Sequence, residues 1–444
     1  MPHSQQQLEY SKSPRAINPT ALTAHERNCR LRSVSCHRLV RMHKTPPAEH
    51  HNSMVNWTEA GTQHSAIWRS EGGWNAPSTI VVATEQLSAT EAYALISAGT
   101  ALLWRGDFHA ARQLLRALGT RIDKSERRPP HDLSLAFRQH REHSYRRAQL
   151  LSLLLVPLDA SYIVPLRRAP EVREACIEAY GAAPSTQRHE LQQASRPAHE
   201  GDSLVALREL LGVIGARQWQ LRGVEVPELG GARIHPHYGV FSPVRGEYLE
   251  LVANAPLPEA KRAMDIGTGS GVLSAILASR GIRNITATDL DPRAIACARE
   301  NIARLGFDQQ VEVVEADLFA PGLADLIVCN PPWVPAEARI ASDHAVYDPD
   351  SRMLRGFLGG LLAHLSPGGE GWLIISDLAE RLGLRSRGEF LDLIEDAGLR
   401  VIERHDTRPT HARANDTSDP LHRARAHEIT SLWRLGALAA SPAE

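Results

Sequence analysis

Between Ala263 and Leu435 short apolar runs alternate with helix-spaced segments, and that alternation leaves few folds open to the second half of the chain. Ala263-Met264-Asp265-Ile266 is a short run followed at once by glycines, and Val272 to Ser279 then carries helical spacing. Asn284 to Asp289 reads as a strand with Ile285 and Ala287 inward, and Pro292 to Leu305 as a helix. Val311 to Val314 and Ala324 to Cys329 read as strands. A helix over about Arg352 to Leu365 precedes a strand at Gly371 to Ser376. The last two strands, Arg400 to Arg404 and His427 to Leu435, have no helix between them. Strands and helices joined by short links predict an α/β fold with a mostly parallel, Rossmann-like sheet covered on both faces. The final pair adds an antiparallel strand at the C-terminal end.

The first half has a different texture. Ala89-Thr90-Glu91-Ala92 opens a helical segment with Ala92, Leu95, Ile96 and Ala101 on one face, and Phe108 to Leu118 repeats it before a capping Gly119. Further helices are expected over about 132–156, 171–180 and Ser203 to Val213, with a proline-bounded linker from Pro184 to Pro197. The expected organisation is a disordered extension (1–53), a mainly helical N-terminal domain (54–226), a catalytic domain (227–436) and a tail (437–444). The extension is basic and poor in acids, as a transit peptide would be. An upstream start, with Met54 as the natural initiator, is the favoured reading.

Composition narrows the function classes. Among 444 residues, 43% are hydrophobic and 23% charged, ordinary for a globular chain with a sizeable core. The net charge of -1 supplies no global pull toward nucleic acid or an anionic membrane. No apolar run is long enough for a membrane span. The five cysteines, Cys29, Cys36, Cys176, Cys297 and Cys329, have neither paired nor metal-ligand spacing and read as free thiols in a reducing cytoplasm. No metal is expected.

Asp265-Ile266-Gly267-Thr268-Gly269-Ser270-Gly271 sits where a strand ends and a helix begins. Glycines there permit a tight turn and let backbone N–H groups approach a ligand. The spacing is tighter than the dinucleotide fingerprint, and an ordinary glycine turn is the alternative. Asp289 ends the next strand and suits a ribose diol, having two acceptor oxygens for two hydroxyl donors. Asp291 competes for that role but precedes Pro292 and reads better as a helix cap. Asp317, flanked by Leu318 and Phe319, can accept from an adenine amino group while its apolar neighbours cover the ring.

Asn330-Pro331-Pro332-Trp333 follows the strand Leu326 to Cys329 directly, at the end of the sheet where open α/β proteins bind ligands. Its prolines lock the backbone and remove two donors. The Asn330 side-chain oxygen and the Pro331 carbonyl can then accept from one substrate –NH2 group and orient its lone pair. Trp333 offers a flat apolar surface to a planar amide or base. A rigid proline turn without chemistry is the alternative.

With these residues in place, 235 to 435 resembles the class I S-adenosylmethionine methyltransferases of the small-domain type. It is most similar to the release-factor glutamine methyltransferases (HemK type). The matching residues are Asp265 to Gly271, Asp289, Asp317-Leu318 and Asn330 to Pro335, with Phe241 to Glu247 resembling the family's front segment. The resemblance implies S-adenosyl-L-methionine as cofactor, held by Asp265, Gly267, Thr268, Gly269, Gly271, Asp289, Asp317, Leu318 and Asn330. It implies Asn330, Pro331, Pro332 and Trp333 as the catalytic motif, with Asn330 at the nitrogen being methylated. The sequence departs from the pattern at Trp333, where tyrosine is usual, and at Gly246-Glu247. It also departs at Val346 to Leu354, with Asp348 for a glutamate and Arg352 inside the segment.

The expected activity is methyl transfer to a planar NH2, foremost a protein glutamine amide. An exocyclic amine of adenine or guanine in RNA or DNA is the alternative, and a non-catalytic cofactor-binding or assembly module is an alternative of another class. A stretch with Lys124, Arg127, Arg128, Arg138, Arg141, Arg146 and Arg147, interleaved with His131, His140 and Tyr145, is a candidate contact for a ribosome or nucleic acid. The solvated face of a helix is the favoured reading, since Asp132 and Glu142 dilute the run. His235 and His237 read as gate or structural residues.

Overall fold

The computed structural model describes residues 53–124, 130–185, 201–244, 246–339, 343, 345–409 and 416–438. The expected extension lies, apart from Ser53, outside the described residues, and so do Arg127, Arg128 and most of the tail.

The N-terminal half is not mainly helical. It holds a six-stranded sheet in the order β1-β2-β6-β5-β4-β3. Its strands are β1 (Met54–Glu59), β2 (Thr62–Arg69), β3 (Ile80–Ala83), β4 (Ala101–Trp104), β5 (Leu154–Leu158) and β6 (Ser203–Ala206). The anticipated helices are present at Ala89–Ser97, Phe108–Asp123, Leu133–Leu151, Arg173–Tyr180 and Leu207–Arg222. The strands between them escaped the periodicity because β4, β5 and β6 are buried at every residue. A strand covered on both faces shows no alternation and reads as the continuation of a neighbouring helix. The expected helix 132–156 therefore divides into Leu133–Leu151 and β5, and the one expected from Ser203 begins only at Leu207. Gly119 lies inside its helix rather than at the cap.

After a short hairpin, β7 (Val224–Val226) with β8 (Ala232–Ile234), the second half forms a seven-stranded sheet in the order β11-β10-β9-β12-β13-β15-β14. The strands are β9 (Arg262–Ile266), β10 (Asn284–Asp289), β11 (Val311–Glu315), β12 (Ala324–Cys329), β13 (Leu365–Ser376), β14 (Leu399–Thr407) and β15 (Thr430–Ala437). Parallel pairing joins β11, β10, β9, β12 and β13, while β15 runs antiparallel to both β13 and β14. The expected antiparallel strand is present, but it is inserted between β13 and β14 rather than set at the edge. One core cluster packs Val272–Ser279 and Pro292–Arg304 on one face of the sheet, and another packs Arg352–His364 and Arg387–Asp396 on the other. Among the described residues no helix is long and apolar enough to cross a membrane.

Candidate functional site

The order of the second sheet reverses at β9, which pairs with β10 on one side and β12 on the other. Chains leaving neighbouring strands in opposite directions open a crevice at their carboxyl ends. Ile266 pairs with Thr288 and with Cys329, so Gly267, Asp289 and Asn330 leave the sheet side by side. Three motifs far apart in the chain meet there.

Gly267, Gly269 and Gly271 all have positive φ, at 69°, 55° and 81°. A Cβ at Gly271 would lie 3.2 Å from the Ala298 backbone, so this glycine lets two helices approach. A Cβ at Gly269 would meet nothing within 4 Å among the described residues, so this turn faces open space between them. Beneath the loop Asp265 is fully buried. Its Oδ2 accepts from the Thr268 hydroxyl (2.7 Å), the Ser274 hydroxyl (2.7 Å) and the Ser274 N–H (3.1 Å). Its Oδ1 is buried and has no hydrogen-bond partner among the described residues. Burial raises the carboxyl to about 6, against the lowering effect of those hydrogen bonds. An orphaned carboxylate oxygen beside an open glycine turn fits a ligand that carries positive charge, as S-adenosylmethionine does.

Asp289 accepts from the Gly269 N–H through Oδ2 (3.0 Å) and from the Asp291 N–H through Oδ1 (3.0 Å). Burial raises its carboxyl above the usual range. Each oxygen keeps a lone pair for a hydroxyl donor. Asp291 caps the helix Pro292–Arg304 through the Arg293 N–H, as its place before Pro292 suggests. Asp317 is exposed, and one Arg352 nitrogen donates to both of its oxygens, at 3.1 and 2.9 Å. Leu318 takes a φ of 73°, with its carbonyl accepting from the Thr288 hydroxyl at 2.5 Å.

At the end of β12 the Trp333 indole N–H donates to Asn330 Oδ1 at 2.9 Å. The Trp333 ring packs against three core clusters, those on the two faces of the sheet and one shared with the helix Leu133–Leu151. Pro331 is buried and Pro332 half-buried. The chain then loops out and returns, the Asp348 N–H donating to the Val334 carbonyl at 2.9 Å. Asp348 is buried and accepts from the N–H groups of Met353 (2.9 Å) and Leu354 (3.1 Å), tying the loop to the next helix.

Several positioning residues carry no signal in a linear reading. Asn301 is fully buried and donates to the carbonyls of Ser270 (3.0 Å) and His235 (3.2 Å), holding the glycine loop to the segment before it. His235 and His237 are both engaged within the protein: His235 Nδ1 meets the Gln220 carbonyl at 2.6 Å, and His237 Nε2 lies 3.0 Å from Glu300. Arg293 donates to Glu71 (2.7 Å) and to the Ala179 carbonyl (3.0 Å), joining the N-terminal half to the helix after Asp289. Arg141 is buried against the loop after Trp333, and Arg147 pairs with Asp123 at 2.7 Å. Of the basic stretch, Lys124, Arg138 and Arg146 are exposed.

A glycine turn and an Asn-Pro-Pro-Trp motif at the switch point of such a sheet define a class I methyltransferase. Residues 231–380 match the family model described as methyltransferase small domain. A release factor glutamine methyltransferase of Deinococcus radiodurans is 34% identical over 200 residues, covering 37% of this chain and 71% of that protein. The corresponding enzyme of Cereibacter sphaeroides is 35% identical over 150 residues, covering 31% of this chain and 51% of the relative. A tRNA1(Val) (adenine(37)-N6)-methyltransferase of Shewanella sp. (strain W3-18-1) is 30% identical over 175 residues, covering 37% and 71%. The chain belongs to the small-domain family of S-adenosylmethionine-dependent methyltransferases.

Proposed function

We propose that the protein transfers a methyl group to the nitrogen of a planar NH2 acceptor, and that the acceptor is a protein glutamine amide. The supporting observation is the register that sets Asn330 and the glycine loop next to each other at the ends of β12 and β9. Asn330 Oδ1 and the Pro331 carbonyl accept the two N–H bonds of the acceptor, which aims the nitrogen lone pair into the crevice. As positive charge grows on nitrogen, these oxygens stabilise it, and no dedicated base is needed because the proton becomes acidic only during transfer. S-adenosylmethionine, when bound, would supply the methyl group from its sulfonium centre, with S-adenosylhomocysteine as the leaving group. Asp289 would hold its ribose, Asp317 and Leu318 its adenine, and Asp265, Thr268 and the three glycines the remainder.

The glutamine reading draws on the two release-factor relatives and on the basic stretch, where Arg141 and Arg147 are engaged within the protein. An exocyclic adenine amine in RNA is the second reading, supported by the tRNA-modifying relative and by the exposed Lys124, Arg138 and Arg146. Tritiated S-adenosylmethionine is incubated with the protein and a lysate from cells lacking it, and the product is split between protease and nuclease. Label lost to protease alone supports the glutamine amide. Label lost to nuclease overturns it in favour of a base amine.

A further inference from the structure

The oxygen assigned to the acceptor already has a partner. Trp333 donates its indole N–H to Asn330 Oδ1 at 2.9 Å, from a ring wedged among three core clusters. A primary amide has two faces, an acceptor oxygen and a donor nitrogen, of nearly equal shape. Rotated by half a turn, Asn330 would present N–H bonds to the acceptor's N–H bonds, a repulsive arrangement that leaves the substrate nitrogen unheld. The indole is donor-only, so it accepts the oxygen on its side and rejects the amide nitrogen. Oxygen has two lone pairs, and the one left over is available to the acceptor. Tyrosine, the residue usual at this place in the family, carries a hydroxyl that both donates and accepts and would not discriminate in this way.

We infer that Trp333 is a positioning residue whose indole N–H locks the Asn330 amide in the orientation that receives the acceptor NH2. The inference rests on the proposed role of Asn330. Its energetic source is preorganisation: the amide is held before the acceptor arrives, so the cost of selecting its rotamer is not met during transfer. The rigid setting of the ring matters as much as the N–H. A tryptophan free to move would follow the amide, whereas one packed on three sides cannot.

The inference is tested by crossing two substitutions in the full chain, with the lysate acceptor at saturation. Trp333→Phe keeps an apolar ring and removes the N–H; Asn330→Asp makes both acceptor positions oxygen, so no rotamer needs selecting. In the Asn330 background Trp333→Phe is expected to lower kcat about tenfold, the effect of one lost hydrogen bond, with cofactor Kd unchanged. In the Asn330→Asp background the same change should cost less than twofold, a coupling that a merely structural ring would not show. Equal losses in both backgrounds overturn the inference. Proton exchange of the Trp333 indole, followed by nitrogen-edited NMR on tryptophan-labelled protein, reads the bond without turnover. Exchange should accelerate in Asn330→Ala and stay slow in Asn330→Asp; unchanged exchange in Asn330→Ala also overturns it. If Asn330→Ala retains its methyl-transfer rate, the role of Asn330 itself fails, which is a separate result.

Discussion

The guanidinium of Arg141 lies 3.8 Å from the centre of the Tyr347 ring, and the same side chain donates to the Glu337 carbonyl at 2.5 Å. Asp343 stands 3.6 Å away. One buried cation, carried by the helix Leu133–Leu151, thus touches three points of the loop that leaves Trp333 and returns at Asp348. Around it Ala136 and Phe137 pack with Val334. The N-terminal half in this sense supports the loop that follows Trp333. A desolvated cation over an aromatic face is worth about 2 kcal/mol. Arg141→Met, which keeps the apolar stem, is expected to lower kcat/KM for the acceptor at least about tenfold while cofactor Kd stays within about twofold. Unchanged acceptor kinetics would remove the helix from the site.

On the proposed mechanism, Asn330→Ala removes an oxygen that receives the acceptor nitrogen. The rate is expected to fall by roughly 100- to 1000-fold, the scale for losing one preorganised group that stabilises developing charge. Cofactor affinity, measured by calorimetry, should hardly change. A variant that keeps most of its rate would show that nitrogen is held by other groups.

Gly269 has φ 55° and faces open space. Gly269→Ala forces a side chain into the left-handed region, at about 1 kcal/mol of stability, and puts a methyl where a ligand would approach. A thermal melt should register the small loss, and cofactor binding should weaken by a much larger factor. Equal affinity in the variant would place the cofactor elsewhere.

The pH dependence of Asp265 has a defined sign. Its folded value of about 6 lies above the ordinary carboxylate value, so protonation stabilises the unliganded fold. That stabilisation is complete below about pH 4 and is lost as pH rises through about 6. From this group alone, unliganded protein should gain roughly 1 kcal/mol between pH 7.5 and pH 5. On the proposed role of Asp265, cofactor binding should run the other way, because the ionised carboxylate is the form that would meet a cation, so affinity should fall below about pH 6. Asp265→Asn should flatten both trends in denaturant melts and in calorimetry. Identical pH slopes in variant and parent would assign the titration to another group.

Elements of the second half that run into glycine, proline or acid motifs were legible in the chain although several are buried nearly throughout, and the short apolar strands of the first half were not. Val272–Ser279, β10 and β12 have the boundaries that their periodicity and flanking glycines, proline and acids indicate. The strands β4, β5 and β6 are short and uniformly apolar, a pattern shared with buried helix turns, and the N-terminal sheet went unseen for that reason. At the site, residues that face a ligand announced themselves through glycine, proline and acid at strand ends. Residues that hold the site together did not. Arg141, Arg293 and Asn301 act by contacts 31 to more than 200 positions away in sequence, and a linear pattern cannot display those contacts.

The placement of β15 reaches beyond geometry. Strand β14 precedes β15 in the chain, yet β14 bonds to the sheet through β15. As the polypeptide emerges from the ribosome, β14 has no place to dock until Thr430–Ala437 has followed it out. The cofactor crevice is already encoded by then, but the sheet beneath it closes only with these late residues. A nascent chain halted before Thr430 would expose the open flank of β13 to any passing strand.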